Sequence, residues 1–198
     1  METEIEAKFL DVDPNQLRQL LKKLGAKLIH KERLMRRQTF DLLDLLLKNK
    51  GGWVRVRDEG DKITLSYKQE KDRTLYGIRE LTVEVSDFDL TCELLETIGL
   101  VKKGYQETKR ETWILDECEV TIDTWPWIPT TVEVEGSTEK LVRQVSGKLA
   151  LDWSHVLHGS VSIAYQKYFK VTDDEINEYP TITFGPVPDW LEKKRIKK

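Results

Sequence analysis

Residues 4–9, Glu4-Ile5-Glu6-Ala7-Lys8-Phe9, carry a charge at every second position and an apolar side chain at each position between. Successive side chains of a strand point to opposite faces. The segment, continued to residue 10, therefore reads as a half-buried strand with Glu4, Glu6 and Lys8 on one face and Ile5, Ala7 and Phe9 on the other. The same period recurs down the chain. Trp53 to Arg57 places Arg55 and Arg57 on one face with Trp53, and Lys62 to Gln69 places Lys68 with Lys62, Thr64 and Ser66. The loop Asp58-Glu59-Gly60-Asp61 joins these two strands as a hairpin. Further strands are expected over 27–41, 78–86, Tyr105 to Leu115, Glu119 to Thr124 and Thr131 to Glu135. Among them Glu119 shares a face with Asp123, and Glu133 with Glu135.

Helical signals fall between these strands. Asp13 suits an N-cap and Pro14 the first helical position, and Leu17, Leu20, Leu21 and Leu24 form an apolar stripe before Gly25. A second helix, capped by Asp87 or Asp89, carries Leu90, Leu94, Leu95 and Ile98 and stops at Gly99, and a third is expected over Glu139 to Leu149. Strand, helix and strands thus occur twice in the same order. No composition shift marks a linker, so 1–198 reads as one domain, with a loosely held basic tail from about residue 186.

The chain has 198 residues, 32 Lys and Arg against 35 Asp and Glu, and a formal charge of −3. That balance argues against a general nucleic-acid binder, which shows a basic excess. The two cysteines, Cys92 and Cys118, have no metal-like spacing and read as reduced thiols. The N-terminal stretch lacks the basic and apolar regions of a signal peptide, and no apolar run approaches the ~20 residues of a membrane span. A cytoplasmic location, as monomer or homodimer, is the expectation.

Like charges two apart on a strand repel unless an opposite charge lies between them. One strand of this kind is ordinary for a sheet with a wet face. Here the charges segregate by type, with Glu-x-Glu on the first strand, Arg-x-Arg on a middle one and Glu-x-Glu on a late one. Turned inward in a closed barrel, such rows make an acidic wall for a hard divalent cation and a basic wall for phosphate oxygens.

The run Glu4-x-Glu6-x-Lys8 resembles the ExExK signature of the CYTH superfamily, the triphosphate tunnel metalloenzymes. The likeness continues in order through WVRVR (53–57), TLSYKQ (64–69), RELTVEV (79–85), ETKRETW (107–113), EVTID and TTVEVEG. Within the superfamily, RLMRRQTFD, DTWPWIP and the IAYQKYF to YPTITF tail are similar to the class IV adenylyl cyclase branch. The resemblance implies a mainly β fold, an eight-stranded antiparallel tunnel with helices packed outside. It also implies Mg²⁺ or Mn²⁺ as cofactor and a triphosphate-containing small molecule as ligand. By position it makes Glu4, Glu6, Asp123, Glu133 and Glu135 metal-side acids, and Lys8, Arg55, Arg57, Lys68 and Arg110 phosphate-side bases. Glu4, Glu6, Lys8 and Lys68 are the residues it places closest to catalysis.

Some positions depart from that pattern. Thr82 stands between Glu80 and Glu84 where an acid is expected, and Arg79 alternates out of phase with both, so Arg79, Glu80 and Glu84 rank behind the others. Thr108 stands two before Arg110, where cyclase-type members commonly carry a second base. Trp125 and Trp127, just after Asp123, suit either stacking on a nucleobase or, more plainly, a rigid hairpin packed on its neighbours. His155 and His158 lie three apart, but no third ligand is evident. Hydrolysis of an inorganic or organic triphosphate is therefore the first expectation. Cyclisation of ATP to cyclic AMP and pyrophosphate is the second, and a non-catalytic polyphosphate or nucleotide sensor the third. The acids count against the sensor, because they would harm simple anion binding.

Overall fold

The computed structural model describes residues 1–197. Ten strands form one sheet, and every pairing is antiparallel except the last. They are β1 (Glu2–Thr3), β2 (Glu6–Phe9), β3 (Lys27–Leu42), β4 (Gly52–Asp58), β5 (Ile63–Glu70), β6 (Ile78–Val85), β7 (Leu100–Leu115), β8 (Cys118–Thr124), β9 (Thr131–Glu135) and β10 (Thr181–Ile182). Their order is β1-β6-β5-β4-β3-β7-β8-β9-β2, with β10 parallel to β7.

The two ends of that path belong to one segment. Glu2 and Thr3 pair with β6, Glu6 to Phe9 pair with β9, and the partner switches at Glu4-Ile5. The backbone N–H of Glu4 donates to Ile78 O at 3.0 Å, and that of Gly136 donates to Ile5 O at 3.1 Å, so pairing continues through the switch. Counted once, this interrupted segment reduces the nine strands of the path to a ring of eight, strongly curled around a central tunnel. The expected single strand over 4–10 is thus two short ones, because no single neighbour faces it along its whole length.

Alternation decides what each face buries. Ala7, Phe9, Trp113, Val120, Ile122, Val132 and Val134 point outward, beneath α1 (Pro14–Lys23) and α3 (Glu139–Lys148), and meet Leu17, Leu21, Val142 and Val145. Burying each large apolar side chain contributes about 1.5–3 kcal/mol, so these helices hold the acid-bearing strands β2, β8 and β9 from outside. α1 begins as its sequence predicts, with Asp13 accepting from the backbone N–H groups of Asn15 and Gln16. α2 (Phe88–Thr97), capped by Asp87, covers Phe40 and Val56 on β3 and β4.

A third apolar cluster joins Trp125 and Ile128 to the C-terminal elements α4 (Ser162–Tyr168), α5 (Asp173–Asn177), β10 and α6 (Asp189–Glu192). Residues 187–196, expected to be a loosely held tail, pack onto this cluster instead. Leu191 is fully buried, Lys170 N–H donates to Lys194 O, and Ile196 N–H donates to Tyr168 O. Sequence reading weighed the tail's basic charge and missed its buried leucine. Among the described residues no helix is long and apolar enough to cross a membrane.

Candidate functional site

The inward faces of the strands line a cavity of about 510 Å³. Glu4, Glu6, Lys8, Arg55, Arg57, Lys68, Glu80, Arg110, Trp125, Glu133 and Glu135 all line it, so most sequence-predicted site residues come together. The acids and bases are not on separate walls, however. Cross-strand register sets Lys8 opposite Glu133, Lys68 opposite Glu80 and Arg110 opposite Asp123, and opposite charges on facing positions attract.

Two ion-pair clusters result. In one, Lys68 Nζ lies 2.9 Å from Glu4 and 3.5 Å from Glu80, and Arg55 lies 3.1 Å from Glu80. In the other, Lys8 Nζ lies 2.7 Å from Glu133 and 3.3 Å from Glu6, while Arg110 lies 3.0 Å from Glu133 and donates through Nε to Asp123 at 2.7 Å. Burial alone would push Glu133 up, but Lys8 and Arg110 hold it well below the usual carboxylate range. Burial also works against the Lys8 charge, yet Glu133 and Glu6 outweigh it and raise the ammonium. Glu4 is pushed up to about 8, first by burial and then by its hydrogen bond with Glu80. Burial would raise Glu80 as well, but that hydrogen bond, Lys68 and Arg55 hold it low.

Like charges gather on either side of these clusters. Glu135 is the cross-strand partner of both Glu6 and Glu119. It keeps contact with solvent, yet burial among the strands and the charges of Glu6 and Glu119 push it up to about 7. At the other pole Arg37 on β3 is the cross-strand partner of Arg57. Burial, Arg55, Arg57 and Arg110 press against the Arg37 charge, and burial with Arg57 lowers Arg55 to about 10. The Nε atoms of Arg37 and Arg55 are buried without a hydrogen-bond partner. A buried donor left unpaired costs about 1–3 kcal/mol, so this pole suits an anion.

Arg37 and Glu119 line the cavity but were not singled out from sequence. Arg37 belongs to an adjacent Arg36-Arg37 pair, and only strand phase separates them. Arg36 points outward, pairs with Asp58 at 3.1 Å and lies over Phe88. Glu119 was legible from its shared face with Asp123.

Other expected residues lie elsewhere. Asp123 is 1% exposed, behind Arg110, and does not line the cavity. Glu84 sits on the exposed end of β6, and Arg79 points out of phase with the tunnel, as the alternation requires. Trp127 has φ +70°, which turns it into the C-terminal cluster, where it meets Tyr179 edge-on and donates through Nε1 to Gly185 O. Trp125 faces the tunnel, but the Arg37 guanidinium covers its ring at 4.4 Å. His155 is exposed, and His158 lies against Glu6 O, so the two do not share a site.

Carboxylate oxygens suit a hard divalent cation, and the crowding that raises Glu135 is what such a cation relieves. Among the described residues no three acidic, histidine or cysteine side chains converge as a ready cage. The fit therefore lies in the donor chemistry rather than in a preformed geometry.

The fold matches several solved structures. One, described as a proposed adenylate cyclase from Vibrio parahaemolyticus, has a TM-score of 0.74 at 13% identity, covering 83% of this chain and 98% of that one. A Pyrococcus horikoshii protein whose name states no activity has a TM-score of 0.65 at 23% identity, covering 77% and 93%. A Hippeastrum protein, described as a proposed adenylyl cyclase with a dominant triphosphatase activity, has a TM-score of 0.59 at 18% identity, covering 84% and 96%. At these identities the likeness is one of fold. No curated protein matches the chain by sequence. The CYTH domain model matches residues 2–164, most of the 198, and with the tunnel in place this chain belongs to the CYTH domain family.

Proposed function

We propose that this protein hydrolyses a triphosphate inside its tunnel. The carrying observation is the group of four inward guanidiniums, Arg37, Arg55, Arg57 and Arg110, with two buried Nε donors unpaired. Guanidinium forks match phosphate oxygens and stay charged at any working pH, so a polyanion supplies what the pole lacks. Lys8 and Lys68 extend this charge along the tunnel.

A divalent cation, when bound, supplies charge neutralisation and polarises the phosphorus under attack. Glu6, Glu119 and Glu135 are the carboxylates that would hold it. Glu133 is committed to Lys8 and Arg110, and Glu4 to Lys68. Of the two Glu-x-Glu pairs, Glu135 keeps the most contact with solvent and would orient the attacking water. The arginines hold the phosphoryl oxygens as charge shifts onto the leaving group.

Hydrolysis is favoured over cyclisation because the tunnel shows little that would grip a nucleobase. Trp125 is covered by Arg37, and Trp127 packs outside the tunnel. Cyclisation needs the ribose hydroxyl held about 3–3.5 Å from the α-phosphorus, which demands a fixed base. Product separation after incubation with tripolyphosphate or ATP and Mg²⁺ or Mn²⁺ tests the reading. Inorganic phosphate as the main product is expected, whereas cyclic AMP with pyrophosphate as the dominant pair would make the protein a cyclase.

A further inference from the structure

Eight cationic side chains line the tunnel: Lys8, Arg37, Lys48, Arg55, Arg57, Lys68, Lys103 and Arg110. Six of them have a carboxylate within 4 Å, including Arg57 with Glu59 and Lys48 with Asp174. Among the described residues Arg37 and Lys103 have none. Lys103 sits beside the slip in register between Gln38 and Phe40. Arg37 lies within the arginine pole itself, directly opposite Arg57.

What holds Arg37 there is weak for a charge so enclosed. Its Nη2 donates to Thr108 Oγ1 at 3.3 Å, its guanidinium carbon lies 4.4 Å from the Trp125 ring centroid, and its Nε has no partner. A neutral alcohol and an aromatic face orient a guanidinium without cancelling its charge. Two like charges facing each other across a strand pair destabilise the sheet. Among the described residues no carboxylate lies within 4 Å to offset that cost, and Asp123 acts on Arg37 only from farther away, so the site has room for a ligand's negative charge.

Thr108 shows what the position is for. On β7 the inward side chains run Gln106, Thr108 and Arg110, and Thr108 is 1% exposed, opposite the buried Met35 and hydrogen-bonded by Arg37. The space that a longer side chain at 108 would fill is already occupied by a cation reaching across from β3.

We propose that Arg37 binds the phosphate oxygens of the tunnel ligand, supplying from β3 the positive charge that β7 lacks at Thr108. The inference rests on the triphosphate reading above and adds to it a binding residue and the reason for Thr108. Arg37 is then the cation in the pole that only substrate neutralises. Trp125 serves as its backing plate rather than as a base-stacking surface.

Calorimetric titration with tripolyphosphate, with and without Mg²⁺, tests this on the wild type, Arg37→Gln, Thr108→Lys and the double variant. Arg37→Gln should weaken binding by about tenfold to a hundredfold, the range for a lost charge-assisted contact. It should also melt higher than wild type in ligand-free buffer, because an uncompensated charge is gone. Thr108→Lys alone should gain no affinity, since it crowds a second cation against Arg37. Combined with Arg37→Gln it should recover most of the lost affinity, because a lysine at 108 then fills the vacated place. Unchanged affinity in Arg37→Gln, a variant that folds less well than wild type, or no recovery in the double variant would each overturn the assignment. A wild type that takes up no tripolyphosphate at all would instead bring down the triphosphate reading, and this proposal with it.

Discussion

The tunnel has two like-charged poles, and they differ in how each can be relieved. At the acid pole Glu6, Glu119 and Glu135 face one another across β2, β8 and β9, and a proton relieves the crowding, as the rise of Glu135 to about 7 shows. At the arginine pole Arg37 faces Arg57 with Arg55 and Arg110 nearby, and a guanidinium does not give up its proton in a protein. The acid pole can thus wait empty at neutral pH in a partly neutral form, whereas the arginine pole stays charged until an anion arrives. Between them the ion-pair clusters of Lys68 and Lys8 keep the two poles apart.

The largest effect expected from breaking this arrangement lies at Arg110, which joins the arginine pole to the buried Asp123. Arg110→Ala leaves that carboxylate unpaired and should cost about 3–5 kcal/mol of stability, measured by chemical denaturation. Arg110→Met combined with Asp123→Asn should recover part of it. Equal stability for Arg110→Ala and wild type would mean that Asp123 reaches water.

A second experiment separates binding from folding at the same pole. Arg57→Ala should weaken tripolyphosphate binding by about 1.5–3 kcal/mol while leaving the melting temperature near that of wild type. A large loss of stability with unchanged affinity would show that Arg57 serves Glu59 rather than a ligand.

The two carboxylates of β9 should respond in opposite directions. Glu135→Gln removes a like charge and should stabilise the metal-free protein by about 0.2–1 kcal/mol while abolishing metal-dependent turnover. Glu133→Gln removes the partner of Lys8 and Arg110 and should destabilise it. Sequence alone treats this Glu-x-Glu pair as one unit of strained acids, and the structure separates them.

The acid pole also sets a pH dependence. Glu4 and Glu135 have folded-state values near 8 and 7, above the ordinary 4.5, so the folded protein binds more protons than the unfolded chain between those limits. Stability of the metal-free protein should therefore fall as pH rises from about 5 to 8. The depressed Glu80 and Glu133 contribute in the opposite sense only below that window. Glu135→Gln should flatten the melting-temperature profile between about pH 5 and 7 and leave the slope from 7 to 8, which belongs to Glu4, and an unchanged slope below 7 would remove Glu135 from the acid pole.

Much of this was legible because strand parity is a local property. Glu4, Glu6 and Lys8, then Arg55 and Arg57, then Glu133 and Glu135 each reach the tunnel two residues apart, as their spacing requires. Parity was weakest where a strand slips or turns. Arg37 lies on a long strand with register shifts on β7, and its neighbour Arg36 offers the same charge to the other face. Trp127 leaves the tunnel through a left-handed backbone that its side chain alone does not predict. The pairing of Arg110 with Asp123 depends on two strands meeting, which no single strand encodes, and so does the mixing of acids with bases.

The N-terminal segment has a consequence for synthesis. Its two halves pair with Arg79 and Glu80 on one side and with Val132 to Glu135 on the other. A chain growing on the ribosome makes Glu4 and Glu6 long before either partner strand exists. The half that carries Glu6 must therefore wait unpaired until β9 has emerged, and contacts so distant in sequence form slowly. Until then the tunnel has no closed wall. Closing the ring and assembling the site are one late event, so a nascent chain stalled before residue 131 should carry α1 and most of β3 to β6 and bind no polyphosphate.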